Sequence, residues 1–250
     1  MKKIQEFHTL RMGVFTSSEI SSLMKSDNTK EKKPGAPFYT YRDDVASERY
    51  LGSSAKQNAD SFACEYGSLV ENYVPIVVND DSISFGYSDC TISHPDDEFK
   101  NWWRGTPDGQ SKDAVIEIKC PVTAKSYFNL LGITADELKK ENPKYYWQIV
   151  SNAILTGKDK AELIVFFPNS DDLENIRQMN NDIAEPSYRI DINIHNGSAP
   201  CLADDKKHLN LYRLKFDVPQ GDKDALTERV RLAIKEVERI IDLKDKRLKK

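Results

Sequence analysis

The sequence has 250 residues, of which 30% are charged and 39% hydrophobic, and its formal net charge is −4. This composition fits a folded chain rather than a disordered one, and no apolar run approaches the roughly 18 residues needed to cross a bilayer. Net acidity argues against a protein that coats nucleic acid indiscriminately, and the opening Met1-Lys2-Lys3-Ile4-Gln5-Glu6 lacks the apolar stretch of a secretory signal, so a cytoplasmic location is expected.

In chain order, Thr16-Ser17-Ser18-Glu19 suits a helix start and opens a segment running to Met24. A Lys-rich polar loop, Lys25 to Pro37, leads to helices expected over Tyr39 to Leu51 and Asn58 to Val78, the second with Phe62, Leu69, Tyr73 and Ile76 on its inner face. After Asn79-Asp80-Asp81 the pattern turns to strands: Ser82 to Tyr87, Trp102 to Thr106 and Ala114 to Lys119, the last two flanking a turn from Pro107 to Asp113. Helices are expected over Val122 to Leu131 and Lys144 to Leu155, then strands over Ala161 to Phe167, Tyr188 to Ile194 and Leu209 to Val218. The tail from Asp222 is a long amphipathic helix with Leu226, Val230, Ala233, Val237 and Ile240 as its stripe and a basic end, Lys244 to Lys250. These elements describe one α/β domain over residues 1–250: a helical part to residue 80, a core over 81–168, and strands with a long helix over 169–250.

The chemistry concentrates in Thr106-Pro107-Asp108-Gly109 and Glu117-Ile118-Lys119-Cys120-Pro121. Residues two apart on a strand share a face, so Glu117 and Lys119 project together with Val115, while Ile116 and Ile118 point the other way. A hairpin would bring Asp108 beside them. Two carboxylates are hard oxygen ligands for Mg²⁺ or Mn²⁺, and the Ile118 carbonyl can be a third. Lys119 can orient water or neutralise charge on a phosphate. Charged residues inside a strand with apolar neighbours need a partner, which a cation and a phosphate supply.

Four blocks of the sequence resemble the phage lambda exonuclease and YqaJ-type viral recombinase family of the PD-(D/E)XK nuclease superfamily: Leu10 to Glu19, Gly67-Ser68-Leu69-Val70-Glu71, Thr106 to Gly109 with Glu117 to Pro121, and Lys144-Tyr145-Tyr146-Trp147-Gln148. The resemblance implies a restriction-endonuclease-like core, a mixed central sheet flanked by helices. It makes Asp108, Glu117 and Glu71 metal ligands together with the Ile118 carbonyl, Lys119 the catalytic lysine, and Gln148 and Tyr145 helix residues facing the site. Arg11, Ser18 and Thr106 would line a pocket for a DNA 5′-phosphate, Thr106 standing where the family often has Ser. The implied activity is a Mg²⁺-dependent (Mn²⁺ as substitute) 5′→3′ exonuclease on double-stranded DNA ends, leaving a 3′ strand for recombination. A ring-shaped homotrimer and a single-strand annealing protein as partner are implied as well. The alternatives are an endonuclease of the same superfamily, which needs neither Arg11 nor Ser18, and a DNA-end binding protein without catalysis, which needs neither Glu117 nor Lys119.

The other candidates read as structural. Cys64, Cys90, Cys120 and Cys201 lie too far apart for a zinc or iron–sulfur site and are expected to be unpaired and mostly buried. His8, His94, His195 and His208 lack ligand spacing. Trp102 and Trp103 are expected in the core or at a rim, and Lys30, Lys32 and Lys33 in a solvated loop.

Overall fold

The computed structural model describes residues 10–27, 33–55, 62–86 and 91–249. In chain order its elements are β1 (Phe15–Thr16), α1 (Ser21–Met24), α2 (Ala36–Leu51), α3 (Phe62–Val78), β2 (Ser84–Phe85), β3 (Ile92–Ser93), β4 (Trp103–Gly105), β5 (Gly109–Gln110) and β6 (Ala114–Lys119). There follow α4 (Ala124–Phe128), α5 (Ala135–Glu141), α6 (Pro143–Thr156), β7 (Lys160–Phe166), α7 (Ser170–Asp182), α8 (Tyr188–His195), a 3-10 turn (Asp204–Leu209), β8 (Leu211–Asp217) and α9 (Gln220–Leu248).

The central sheet has the order β2-β5-β6-β7-β8, with β6 and β7 parallel and the other pairs antiparallel. A small sheet, β1-β4-β3, stands beside it. The alternation of side chains along β6 and β7 feeds two cores. Val115, Ala161, Leu163 and Val165 pack with residues of α1, α2, α6 and α9, while Ile116, Ile118, Ile164 and Phe166 pack with α3, α7 and α8. The α/β class and the mixed sheet flanked by helices, expected from the resemblance, are what the chain adopts. Glu162, on the second face of β7, is buried and held by Arg213 of β8, which also reaches Asp80 at 3.1 Å.

Local chemistry sets the ends. Pro143 opens α6, where a missing N–H costs nothing, and Gly157 closes it in the left-handed conformation (φ 66°). The stripe expected on α9 packs as read, with Leu226, Val230, Ala233 and Val237 buried and Ile240 against the same core. None of the described helices is long and apolar enough to cross a membrane.

Several expectations are corrected. Thr16 belongs to a strand, and the helix after it is one turn starting at Ser21, because Ser17 to Ile20 form a turn. The inner stripe of α3 is Tyr66, Leu69, Val70, Tyr73 and Val74, a helical repeat that leaves Ile76 outside at 65% exposure. Tyr188 to Ile194 is a helix: Ser187 caps it by accepting from Ile190 N, and the isoleucines at alternate positions imitated a strand. The turn from Pro107 to Asp113 contains β5, and the helices α5 and α7 were not anticipated although Thr134 with Glu137 and Asn169 with Asp172 form capping boxes. Cys64 and Cys201 are exposed and Cys120 half-buried, so the thiols are not mostly buried; no disulfide joins these three. His94 stacks on Trp103 in the core, and His195 and His208 are exposed. His8, Lys30, Lys32, Tyr87, Cys90 and the start of the second helix at Asn58 lie outside the described residues.

Candidate active site

Asp108 and Glu117 meet because the β5–β6 pairing sets Gly109 opposite Ile116 and Gln110 opposite Val115, which places Asp108 opposite Glu117. Continued by one more residue, the register sets Pro107 opposite Ile118. Ser111 N donates to Ala114 O at 2.9 Å, so the hydrogen-bonded pairs of this ladder are 111 with 114, 109 with 116 and, by alternation, 107 with 118. Proline has no N–H, so the Ile118 carbonyl cannot receive the ladder bond due to it. The Ile118 N–H finds a different acceptor, Asp108 Oδ2 at 2.6 Å. Since the N–H and C=O of one strand residue point to the same side, that carbonyl faces Asp108 and the cleft.

Glu117 is 1% exposed. Its Oε1 accepts from Lys119 Nζ at 2.5 Å and its Oε2 from Asn152 Nδ2 of α6 at 3.1 Å. The Lys119 ammonium lies 5.3 Å from the centre of the Tyr145 ring. Burial first, and then the charges of Asp108 and Glu71, push the Glu117 carboxyl up to about 8. Glu71, on α3, is pushed up to about 7 by burial and by Asp108. Asp108 is raised by burial, against the pull of Lys119. For Lys119 burial opposes the charge, yet the attraction of Glu117, Asp108 and Glu71 prevails and raises the lysine.

Asp108, Glu117, Lys119, Glu71 and Gln148 line one cleft of about 540 Å³, which Arg11, Ser18 and Thr106 also line. Tyr145 does not line it and is reached through Lys119; Ile118 borders the adjoining recess with Glu71 and Asp108. As placed, no three His, Cys, Asp or Glu side chains among the described residues are gathered into a ready ligand set. Glu117 turns both oxygens to Lys119 and Asn152 instead. The donor set nevertheless fits a hard divalent cation. Three carboxyls face one cleft, all raised by burial, and Glu71 and Glu117 also by the neighbouring carboxyls, with Lys119 among them as countercharge. Oxygen donors without thiolate or imidazole suit Mg²⁺ or Mn²⁺ rather than zinc.

The other end of the cleft is built on irregular chain. Arg11 donates to Ser18 Oγ at 2.5 Å, and burial lowers its pKa while Tyr41 and Glu19 raise it. Ser18 lies in the turn ahead of α1 rather than at a helix start. Thr106 Oγ1 lies 3.1 Å from Thr91 Oγ1. Side chains clamp the Arg11 segment at both sides: Glu48 accepts from Gly13 N at 2.8 Å, Arg49 donates to Gly13 O at 2.9 Å, and Arg104 donates to Leu10 O at 2.5 Å. Gly13 has φ 69°, and a Cβ there would lie 2.7 Å from Arg49 Cγ, so a larger residue would break this clamp. Arg49 also stacks on Trp102 at 3.6 Å.

Sequence reading missed Asn152, Ser17, Ser68 and Asn72, although the last three line the same cleft. For Ser68 and Asn72 a signal existed: they lie three residues before and one after Glu71, on one helical face. Asn152 had a fainter one, standing one turn after Gln148.

No protein-family model matches the sequence, and no curated protein does. The structure is similar to that of an alkaline exonuclease, LHK-Exo, from Laribacter hongkongensis, with a TM-score of 0.64, 18% identity and 98% of both chains covered. The complex of LHK-Exo with dAMP gives a TM-score of 0.63 at 19% identity over 98% of both chains. A phage-related exonuclease from Haemophilus somnus 129PT gives 0.60 at 14% identity over 92% of this chain and 95% of the other. The chain thus has, over nearly its whole length, the fold of these exonucleases.

Proposed function

We propose that this protein is a divalent-metal-dependent exonuclease, one nuclease domain that degrades double-stranded DNA from a 5′ end and leaves a 3′ single strand for recombination. The observation that carries the reading is the single cleft shared by Asp108, Glu117, Lys119, Glu71 and Gln148 at one end and Arg11, Ser18 and Thr106 at the other. The fold shared with the two exonucleases supports it.

Asp108, Glu117, Glu71 and the Ile118 carbonyl would hold the cation. When bound, Mg²⁺ or Mn²⁺ supplies charge stabilisation to phosphoryl oxygens and acidifies water. Lys119, whose ammonium Glu117, Asp108 and Glu71 favour, would serve as a hydrogen-bond donor and positive charge beside the scissile phosphate. Gln148 helps to orient the substrate from α6. Arg11 grips the terminal phosphate, whose extra negative charge distinguishes an end from an internal linkage. Ser18, which already shares a hydrogen bond with that guanidinium, holds it in place. A trimeric ring and an annealing-protein partner belong to the same reading by resemblance.

The test is digestion of a linear duplex labelled separately at each 5′ and 3′ terminus, with a closed circle as control, with and without Mg²⁺. Release of label from 5′ ends alone, dependent on Mg²⁺ and sparing the circle, is expected. Cutting of the circle, or equal rates for 5′-phosphate and 5′-hydroxyl ends, overturns it.

A further inference from the structure

Asn152 lies fully buried near the middle of α6, one helical turn beyond Gln148. Its Nδ2 donates to Glu117 Oε2 at 3.1 Å, while its Oδ1 is buried with no hydrogen-bond partner among the described residues. Gly105 of β4 makes room for that oxygen, since a Cβ there would come within 2.5 Å of it. The adjacent Ser151, also fully buried, is satisfied by contrast: its Oγ takes Trp103 Nε1 at 2.8 Å and lies 2.8 Å from Ser17 Oγ. A buried amide with one orphaned oxygen is a poor choice for stability, because an unmatched acceptor forfeits its hydration. What this amide does provide is a donor aimed at one oxygen of one carboxylate.

We infer that Asn152 is a positioning residue for Glu117, fixing the plane of the carboxylate so that Oε1, the oxygen on the Lys119 side, is presented to a divalent cation in the cleft. The inference rests on the metal-dependent reading above. The terminal torsion of a glutamate is soft, so burial alone does not fix the plane. A lysine or arginine at this place would fix it too, but would cancel the charge the cation needs. Asparagine donates without adding a second positive charge to that of Lys119, which already lies on Oε1.

The experiment is calorimetric titration of Mn²⁺ into the full chain, alongside thermal melts, for wild type, Asn152→Leu, Ser151→Ala and Glu117→Gln. Leucine has the branched shape of asparagine, though its methyl groups are bulkier, and it removes both the donor and the orphaned oxygen. Asn152→Leu is expected to bind Mn²⁺ about 10- to 100-fold more weakly while still showing a cooperative melt. Ser151→Ala, one residue away, is expected to lower the melting temperature without moving Mn²⁺ affinity. Should Asn152→Leu not fold, Asn152→Ala, which asks for no extra room, carries the same comparison. A folded Asn152 variant with wild-type Mn²⁺ affinity overturns the inference. If Glu117→Gln also keeps wild-type affinity, the metal reading itself fails; if Glu117→Gln loses binding and the Asn152 variant does not, only the role of Asn152 fails.

Discussion

The two ends of the cleft are built on different principles. The acidic end stands on β6, a strand inside the sheet whose register fixes Asp108 against Glu117 and whose neighbours bury Glu117 almost completely. The Arg11 end stands on irregular chain, positioned by single hydrogen bonds to Glu48 and from Arg49 and Arg104, residues that lie 35 to 94 positions away from the groups they hold. One end is held by a ladder, the other by individual side chains. The first should fail all at once when its chemistry is removed, the second by degrees when its supports are.

The largest expected effect is therefore at the acidic end. Asp108→Asn and Glu117→Gln keep shape and should each lower single-turnover cleavage by at least about a thousandfold, ~4 kcal/mol of barrier, with duplex binding by anisotropy retained. Asp108→Ala should also destabilise the fold by about 1–3 kcal/mol, because it leaves the Ile118 N–H without its acceptor. Near-normal turnover in either shape-preserving variant would show that the acidic end is not where cleavage happens.

At the other end Arg11→Ala should abolish the preference for a 5′-phosphate, and Glu48→Ala should weaken it by about tenfold, ~1.4 kcal/mol, while leaving Mn²⁺ affinity alone. Kinetics on two duplexes that differ only in the terminal phosphate measure both. If Glu48→Ala slows both duplexes equally, the clamp supports the fold and not the choice of end.

A pH series separates the two ends in another way. Glu71 and Glu117 have folded-state values of about 7 and about 8, raised above the ordinary range for glutamate. The folded chain thus binds more protons than the unfolded one between roughly pH 4.5 and 8. Stability from these groups is fully present at the low end of that window and is lost as pH rises through it. Without divalent cation the melting temperature should fall from pH 5 to pH 8, and Mn²⁺ should flatten the curve. A flat profile without cation would mean that the carboxyls are not in conflict. The smallest effect belongs to the tail: removal of Lys244 to Lys250, whose described residues are largely exposed, should change stability by less than about 0.5 kcal/mol and leave cleavage of short duplexes unchanged.

The same contrast decides what could be read from the sequence. Ala114 to Lys119 was located to the residue, because period-two alternation and apolar flanks mark a buried strand, and Asp108 followed from the turn before it. The Arg11 end was legible only through likeness to a family, since nothing local joins Gly13 to Glu48 or Leu10 to Arg104. Asn152 was nearly as hard to read for the same reason: its partner is 35 positions away, and its one local mark is its place a turn after Gln148. Tyr188 to Ile194 failed the other way, local pattern misleading where packing of Ile190 and a serine cap decide the outcome.

Pro107 has one more consequence, for the solubility of the chain. Where β5 leaves off, the Ile118 backbone at the end of β6 lacks its ladder partner, and unpaired strand groups are what a strand from another molecule can dock on to begin aggregation. Here that edge offers little to copy. Pro107 prevents its own strand from extending over it, the Asp108 carboxylate already occupies the Ile118 N–H, and Glu117 and Lys119 place charge beside it. The groups that leave the carbonyl open to a small cation thus also keep the edge closed to a peptide.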